Sequence, residues 1–542
     1  VTKWGVLVVL GAAQFLMVLD QAVMNVAISQ LVEDFDTTVT TIQAVIAFYA
    51  LVMAGLMLTG GKLGDIWGRR RAFMIGICIY AVGSGLTAAS WNVPSLMFGW
   101  SILEGIGAAL VIPALIALVA GNYKGNDRAI AYGVLGGVAG AGIAVGPILG
   151  GWATTELSWR VVFVGEVVVA IGILIGTRMI KDPAREQEAP QLDWVGSVLS
   201  AAGLAVLVFG VLQASNWGWL VPRASPLEPF GFSLTPFVIA AGGVILAAFT
   251  AWERRREEHG LEPLVHLPLL RIPQLRSGVV MFLAQNLILM GVFFTIPLFL
   301  QVVQGLDALE TGVRMLPASA GLFFAAIAGS ALAKRFAPRP LVRVGLAIVF
   351  ASILMLMATI EPELDNSSFL IAMGVLGIGM GLIVSQLGNV VQSAVGDDDR
   401  SEAGGLQSTA QQLGSSLGTA LLGAIVITGL ITAFTANVAS DPQISSDVSS
   451  QLEVKLSAGG SFVSSAEVRA GATAAGVDAA TTDALVGHYE DAQLSALKTA
   501  FLVAALLALV SFWGTRRLPT KRFDQLQAGP DPPQSGPDPV PA

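Results

Sequence analysis

Gly61-Lys62-Leu63-Gly64-Asp65-Ile66-Trp67-Gly68-Arg69-Arg70-Arg71 is the stretch that decides how this chain reads. It lies between two apolar segments, each long enough to cross a bilayer. Its glycines, Gly61, Gly64 and Gly68, let the chain reverse sharply and let the flanking helix ends come close. Arg69, Arg70 and Arg71 fix the turn on the cytoplasmic side, where basic residues beside membrane spans are retained. Asp65 is expected to pair with one of these arginines or with a helix N-terminus, which would make the turn a conformational latch.

Composition agrees with this beginning. The 542 residues are 54% hydrophobic and only 13% charged, against about 25% charged in soluble proteins. The chain therefore reads as an all-α integral membrane protein and not as a globular enzyme. The net charge of −8 says little, because the charges are segregated by side. Cys78, the single cysteine, lies in an apolar segment and reads as a small packing residue; no disulfide within the chain is possible. The first apolar run, Trp4 to Ile28, is too long for the hydrophobic region of a signal peptide.

A helix crosses the hydrocarbon core with about 20 apolar residues. Fourteen such stretches lie near 5–28, 42–60, 72–90, 95–120, 129–153, 160–180, 193–214, 235–253, 275–300, 312–334, 340–359, 368–392, 404–434 and 497–515. With the N-terminus inside, all but six of the 30 Lys and Arg residues fall on the cytoplasmic side. These include Arg254 to Arg256, then Lys334, Arg335, Arg339 and Arg343, and finally Arg516, Arg517, Lys521 and Arg522. The six outside are Arg160, Arg223, Arg314, Lys455, Arg469 and Lys498. Both termini are thus expected to be cytoplasmic. The basic run at 254–256 reads as a membrane anchor, not a nucleic-acid patch, and no nucleic-acid partner is expected.

Four regions follow. Residues 1–190 form a six-helix half, 191–255 an inserted pair of spans, 256–517 a second six-helix half, and 518–542 a cytoplasmic tail. The Pro-, Gly- and Asp-rich part of that tail from Gln525 is expected to be disordered. Within the second half, 435–496 is an external insertion rich in Ser, Ala and Gly. It is expected to hold short helices but no core of its own, and to act as a structural or gating cap. The turn Gly329 to Arg339 looks like a degraded copy of the 61–71 turn, lacking its acid and its second glycine. Two related halves suit a carrier that rocks around a central site.

Ionisable side chains deep in a bilayer cost several kcal/mol and mark function by default. Asp20 in the first span, Glu104 in the fourth and Glu166 in the sixth are the three that stand out. At about 1.5 Å per residue they fall at similar depth, in the outer half of the membrane. A buried carboxylate without a cationic partner can exchange a proton between the two faces of an alternating cavity, or hold a cation when ionised. Competition between the two gives antiport. Glu166 has a plainer alternative, pairing with Arg160. The second half offers amides instead: Gln285, Asn286, Gln386, Asn389, Gln411 and Gln412, expected to bond across helices or to line the cavity. Phe293 and Phe294 could add an apolar wall.

The fifth span carries Gly133 to Gly151, in which Gly142, Gly146 and Gly150 recur every four residues and Pro147 and Gly151 follow closely. Such a bare stripe admits a neighbouring helix, and the proline should bend the span. The sharper expectation is a hinge or seal between the halves.

Together these segments resemble the fourteen-span drug:proton antiporter family of the major facilitator superfamily, from Trp4 to about Arg517. The 61–71 turn is similar to that superfamily's signature loop, with Ile66 where an arginine is frequent. The run ending in Gly146-Pro147-Ile148-Leu149-Gly150-Gly151 resembles its antiporter motif. Leu19-Asp20 to Asn25-Val26-Ala27 resembles the family's first-span motif, and Ser158-Trp159-Arg160 its sixth-span entry. The resemblance implies the major facilitator fold and a proton-coupled exporter of lipophilic, cationic small molecules in a bacterial plasma membrane. It implies Asp20, Asn25, Glu104 and Glu166 as proton-coupling or substrate-binding residues. Gly61, Asp65, Gly68, Arg69 and Arg70 would form the latch, and Gly142, Gly146, Pro147, Gly150 and Gly151 the antiporter hinge. In the fourth span, Ser101 stands where relatives carry an arginine and Glu104 where they carry a glutamine, so Glu104 is expected to take over part of the proton or cation chemistry.

Other classes fit less well. A channel filter built by oligomer symmetry has no counterpart here, and a monomer is expected. His259, His266 and His488 lie outside the spans without metal-ligand spacing, and no phosphate-cradling loop occurs. Neither an enzyme, a metal site nor a cofactor beyond the proton gradient is therefore expected. Dedicated export of an endogenous metabolite or lipid remains an alternative that the sequence does not separate from drug export.

Overall fold

The computed structural model describes residues 4–123, 125–181, 191–333, 335–396, 400–441, 444 and 462–521. Lys334, Lys455, Arg522 and the tail from Gln525 lie outside the described residues.

Fourteen helices are long and apolar enough to span a membrane, in agreement with the fourteen stretches read from the sequence. They are α1 Gly5–Val26, α2 Val39–Trp67, α3 Arg69–Ala88, α4 Val93–Val119, α5 Val134–Glu156, α6 Trp159–Met179 and α7 Trp194–Trp217. Then follow α8 Thr235–Glu258, α9 Pro273–Val303, α10 Ala308–Leu332, α11 Pro338–Ala358, α12 Asn366–Ser393, α13 Glu402–Ser440 and α14 Ala479–Arg517. No strand occurs among the described residues. The turn between α2 and α3 defines one face of the bundle; the opposite face is called the far face below.

Helices α1–α6 and α9–α14 make two bundles that share one continuous apolar core. The inserted pair hangs outside them. α7 packs into the seam between α2 and α13, with Leu204, Val208 and Val211 against Ala47, Leu51 and Ala420. α8 packs on α7, where Gly203, Gly210 and Gly242 remove side chains that would collide with Leu246, Ile239 and Leu207. Buried charges tie this pair to the segment entering α9. Glu253 accepts the backbone N–H groups of Leu264 (2.7 Å) and Val265 (3.2 Å), and Asp193 accepts the Trp252 indole N–H (3.0 Å).

The halves meet closely at the far face. A Cβ on Gly312 of α10 would lie 2.1 Å from the Pro147 carbonyl oxygen of α5, and one on Gly151 would lie 2.4 Å from that of Ala308. Gln301 of α9 clasps the break after α1. Its amide donates to the Val26 carbonyl (2.7 Å) and accepts the Ser29 N–H (3.2 Å). Between α2 and α13, Gln43 donates to the carbonyls of Thr419 and Ala420, and Ser416 to that of Ala47.

Two sequence expectations change here. Cys78 is exposed on α3 and not packed inside. The helix that carries the last span begins well before residue 497: Ala479–Gly514 is continuous, so the end of the 435–496 insertion is helical. The described part of that insertion does not build a core of its own but borrows one. Phe462 is buried, and Phe434 of α13 meets Tyr489 of α14 edge-on at 5.2 Å. Tyr489 and Gln493 also hold the backbone of Val463 (3.0 and 2.7 Å).

Candidate functional site

Three acids from three helices meet inside the first bundle. One carboxylate oxygen each of Asp20 (α1), Glu104 (α4) and Glu166 (α6) lies within 4.8 Å of the other two, and all three side chains are buried. Local structure explains the meeting. From Met97 to Glu104, α4 winds as a π-helix, a form concentrated at functional positions, before resuming as an α-helix at Gly105. The α3–α4 crossing is nearly backbone to backbone. A Cβ on Gly83 would lie 2.7 Å from the Glu104 Cγ, and one on Gly99 would lie 2.8 Å from the Thr87 nitrogen. That approach turns the polar side of α3 onto the acids.

Each acid then receives neutral donors. The Trp100 indole N–H donates to Asp20 Oδ1 at 2.6 Å. The Thr87 hydroxyl donates to Glu104 Oε1 at 2.9 Å. Tyr80 and Ser84 both donate to Glu166 Oε2 at 2.9 Å. Asp20 Oδ2, Glu104 Oε2 and Glu166 Oε1 are buried without a hydrogen-bond donor. Among the described residues no Lys or Arg forms an ion pair with any of the three. Ser101, where an arginine was the expectation from relatives, spends its hydroxyl on the Val45 carbonyl (2.9 Å). Carboxylates this close in an apolar interior cannot all be charged without a compensating cation. The cluster can therefore share protons, which belong to the group and not to one residue, or hold a cation.

Glu166 does not take the alternative partner considered for it. Arg160 is bound instead to Asp34 (2.6 Å) and lies over the Trp159 ring at 4.4 Å. Asp34 also accepts the Trp159 indole N–H at 2.8 Å.

Beside the acids is a cavity of about 20 Å³ between the two halves, roughly the room of one water. Gln21, Asn25, Tyr49 and Trp100 line it from the first half, Met290 and Thr419 from the second. Asn25 is held by the Gln21 carbonyl (2.7 Å). Phe293 and Phe294 are buried as packing residues, and Gln386 bonds across helices to the Gly329 carbonyl (2.8 Å).

In the basic turn, Asp65 and Arg69 pair at 2.9 Å, joining the ends of α2 and α3. Gly68 sits between them at φ 94°, which glycine adopts without strain. A tie leading away from the turn is Lys62 to Glu262 (2.7 Å), on the segment before α9. Gly60, not Gly61, makes the close approach to α4: its Cβ would fall 2.2 Å from the Ala109 carbonyl.

The α5 glycines divide between two neighbours. Gly142, Gly146 and Gly150 face Val18, Ala22 and Val23 of α1, within the same half, where a Cβ would come within 2.9 Å of the partner. Pro147 and Gly151 face α10 of the other half. The close contacts of this stretch across the halves are thus Pro147 with Gly312 and Gly151 with Ala308, while the glycine ladder beds α5 on the helix that carries Asp20.

The aromatic and hydroxyl partners, Trp100, Tyr49, Tyr80, Ser84 and Thr87, were not singled out in the sequence. The available signal was modest: a Trp or Tyr inside a span needs a partner for its polar tip.

Two helical bundles around a shared cavity, with buried acids at its edge, have the build of a membrane transporter. The chain belongs to the Major Facilitator Superfamily, whose family model matches residues 10–419. It is similar to the puromycin resistance protein pur8 of Streptomyces alboniger, 32% identical over 453 residues, covering 82% of this chain and 86% of that protein. The multidrug efflux pump LfrA of Mycolicibacterium smegmatis is 28% identical and covered to 94% in both directions. The tetracenomycin C resistance and export protein of Streptomyces glaucescens is 30% identical, with 78% of this chain and 76% of that one covered. Among solved structures, an inward-facing, occupied bacterial homologue of the human lysosomal transporter Spinster superposes with a TM-score of 0.60 at 15% identity, over 95% of this chain and 97% of that one. That likeness bears on the fold.

Proposed function

We propose that this chain is a proton-coupled exporter of lipophilic, including cationic, small molecules, working by alternating access. The observation that carries the reading is the meeting of Asp20, Glu104 and Glu166 without a cation, next to a cavity that both halves line. The exporter takes up substrate from the cytoplasmic face while the acid cluster is deprotonated. The halves rock, protons enter from the other face, and substrate leaves. The protonated carrier, with less buried charge, returns. The resistance and efflux functions named for relatives support a drug-like substrate. The positive-inside bias supports a plasma-membrane orientation with the basic turn cytoplasmic.

A second reading is export of one metabolite made by the cell itself. It is favoured by a relative named for a single compound, the tetracenomycin C resistance and export protein.

The test is dye efflux in proteoliposomes under an imposed pH gradient, with cationic and neutral compounds, for the wild type, Asp20→Asn and Glu104→Gln. Gradient-driven export of several cations, lost in Asp20→Asn, supports the multidrug reading. Full pH-dependent transport by Glu104→Gln removes Glu104 from the mechanism. A folded wild type that moves none of the dyes leaves the single-metabolite reading.

A further inference from the structure

Asp20 is fully buried and does not line the cavity; Trp100 and Tyr49 do. The two rings are stacked, with centroids 4.4 Å apart and planes 9° from parallel. They stand between the cavity and the carboxylate, and Trp100 reaches through to it with its indole N–H at 2.6 Å. A substrate entering the cavity therefore meets an aromatic pair before it meets any charge. Such a surface attracts planar and cationic molecules.

The backbone beneath Trp100 is suited to move. Trp100 sits in the middle of the π-helical segment Met97–Glu104. Returning one such turn to α geometry rotates the residues around the helix axis by about 100°, one residue's share of a 3.6-residue turn. The same segment ends on Glu104, so a shift at Trp100 is transmitted to a second acid.

We infer that Trp100 is the positioning residue that couples substrate occupancy to the acid cluster: substrate resting on the Tyr49–Trp100 stack holds the indole N–H on Asp20, and the empty site lets the ring leave it, without substrate touching the carboxylate. An N–H aimed at a carboxylate oxygen favours its ionised form, so ring position and protonation state are linked. The titratable groups facing Asp20 are Tyr49 of α2, Tyr80 of α3, Glu104 of α4 and Glu166 of α6. The glycine ladder of α5 contributes no titratable group. No basic group faces the carboxylate among the described residues, and the indole N–H at 2.6 Å is the natural point of control. The inference rests on the proton-coupled reading above.

The experiment is equilibrium binding of ethidium and tetraphenylphosphonium to the purified full chain in nanodiscs, from mildly acid to mildly alkaline pH. Trp100→Phe keeps an aromatic ring for stacking but removes the indole N–H together with the five-membered ring that carries it. Its affinity is expected to fall with the lost ring area, and the readout is the pH dependence of binding, which is expected to flatten. Asp20→Asn is expected to keep binding both cations, with a weaker pH dependence that belongs to Glu104 and Glu166. A wild-type pH profile in Trp100→Phe overturns the inference. So does loss of cation binding in Asp20→Asn, which means direct contact; this arm stands even if Trp100→Phe does not fold. Wild-type binding that ignores pH, in a protein that still exports on a pH gradient, overturns the inference alone. Absence of gradient-driven transport, or of binding by any such compound, removes the proposed function itself.

Discussion

Gly83 and Glu104 touch so closely that a methyl group on Gly83 would lie 2.7 Å from the Glu104 Cγ. Two helices are thereby held at a separation that only glycine permits, and an acid is held in the cluster by the missing side chain opposite it.

Gly83→Ala is expected to lower stability by about 1–3 kcal/mol through overpacking. It should also push Glu104 away from Thr87. Thermal unfolding in detergent measures the first effect. Loss of pH-dependent transport in molecules that remain folded measures the second. A variant with unchanged stability and transport would falsify this packing account.

Gln301→Ala removes the clasp on Val26 and Ser29. Two ordinary hydrogen bonds contribute about 1–3 kcal/mol together, and here they join the halves. The expected outcome is a shift of population towards molecules open at the far face. Electron spin resonance distances between labels at the exposed Leu157 and Val313, at the far-face ends of α5 and α10, would report it as a longer component. An unchanged distance distribution would place the closing energy elsewhere, at Pro147–Gly312.

Asp65→Asn breaks an ion pair that is about a third exposed on each side. Pairs of this kind contribute about 0–1 kcal/mol, so unfolding should scarcely change. If the turn acts as a latch, transport slows while substrate binding persists. Lost binding would argue against a latch, and an unchanged rate would assign the turn to topology alone.

Asp34 provides a pH test outside the spans. Burial pushes its carboxyl up, but the hydrogen bonds from Trp159, Gln30 and Arg160 and the charge of Arg160 outweigh this and hold it below the ordinary value. A carboxylate depressed by folding stabilises the protein above its unfolded value, about 3.9, and that contribution is lost as pH falls through the folded value. Asp34→Asn should therefore destabilise the protein at neutral pH, with the difference from wild type vanishing in strong acid. Thermal unfolding of both proteins across that range measures it. A pH-independent difference would point to packing.

The fourteen spans were legible because long apolar runs and basic turns report the membrane directly. Asp20, Glu104 and Glu166 were legible for the same reason, as charges where hydrocarbon is expected. Their meeting point was not. It depends on a π-helical segment in α4 and on backbone contact at Gly83 and Gly99, neither of which has a periodic signature. The partner of Arg160 was equally hidden, since Asp34 is 126 residues away in sequence. The glycine ladder announced a close helix contact without saying whose. Only the fold shows that α1 takes three of its members and α10 takes Gly151.

The helix that closes the second half runs 36 residues, Ala479–Gly514, about 54 Å at the usual rise. A hydrocarbon core is about 30 Å thick. With Arg516 and Arg517 at its basic end, the excess length is expected beyond the bilayer at the far face, where Phe434 packs on Tyr489 and Tyr489 and Gln493 hold Val463. Most of a carrier of this kind is hidden in lipid and offers antibodies little to grip. Here a stiff rod with its own relief rises above the membrane, a handle for selecting conformation-specific binders and a landmark for aligning single particles in the electron microscope.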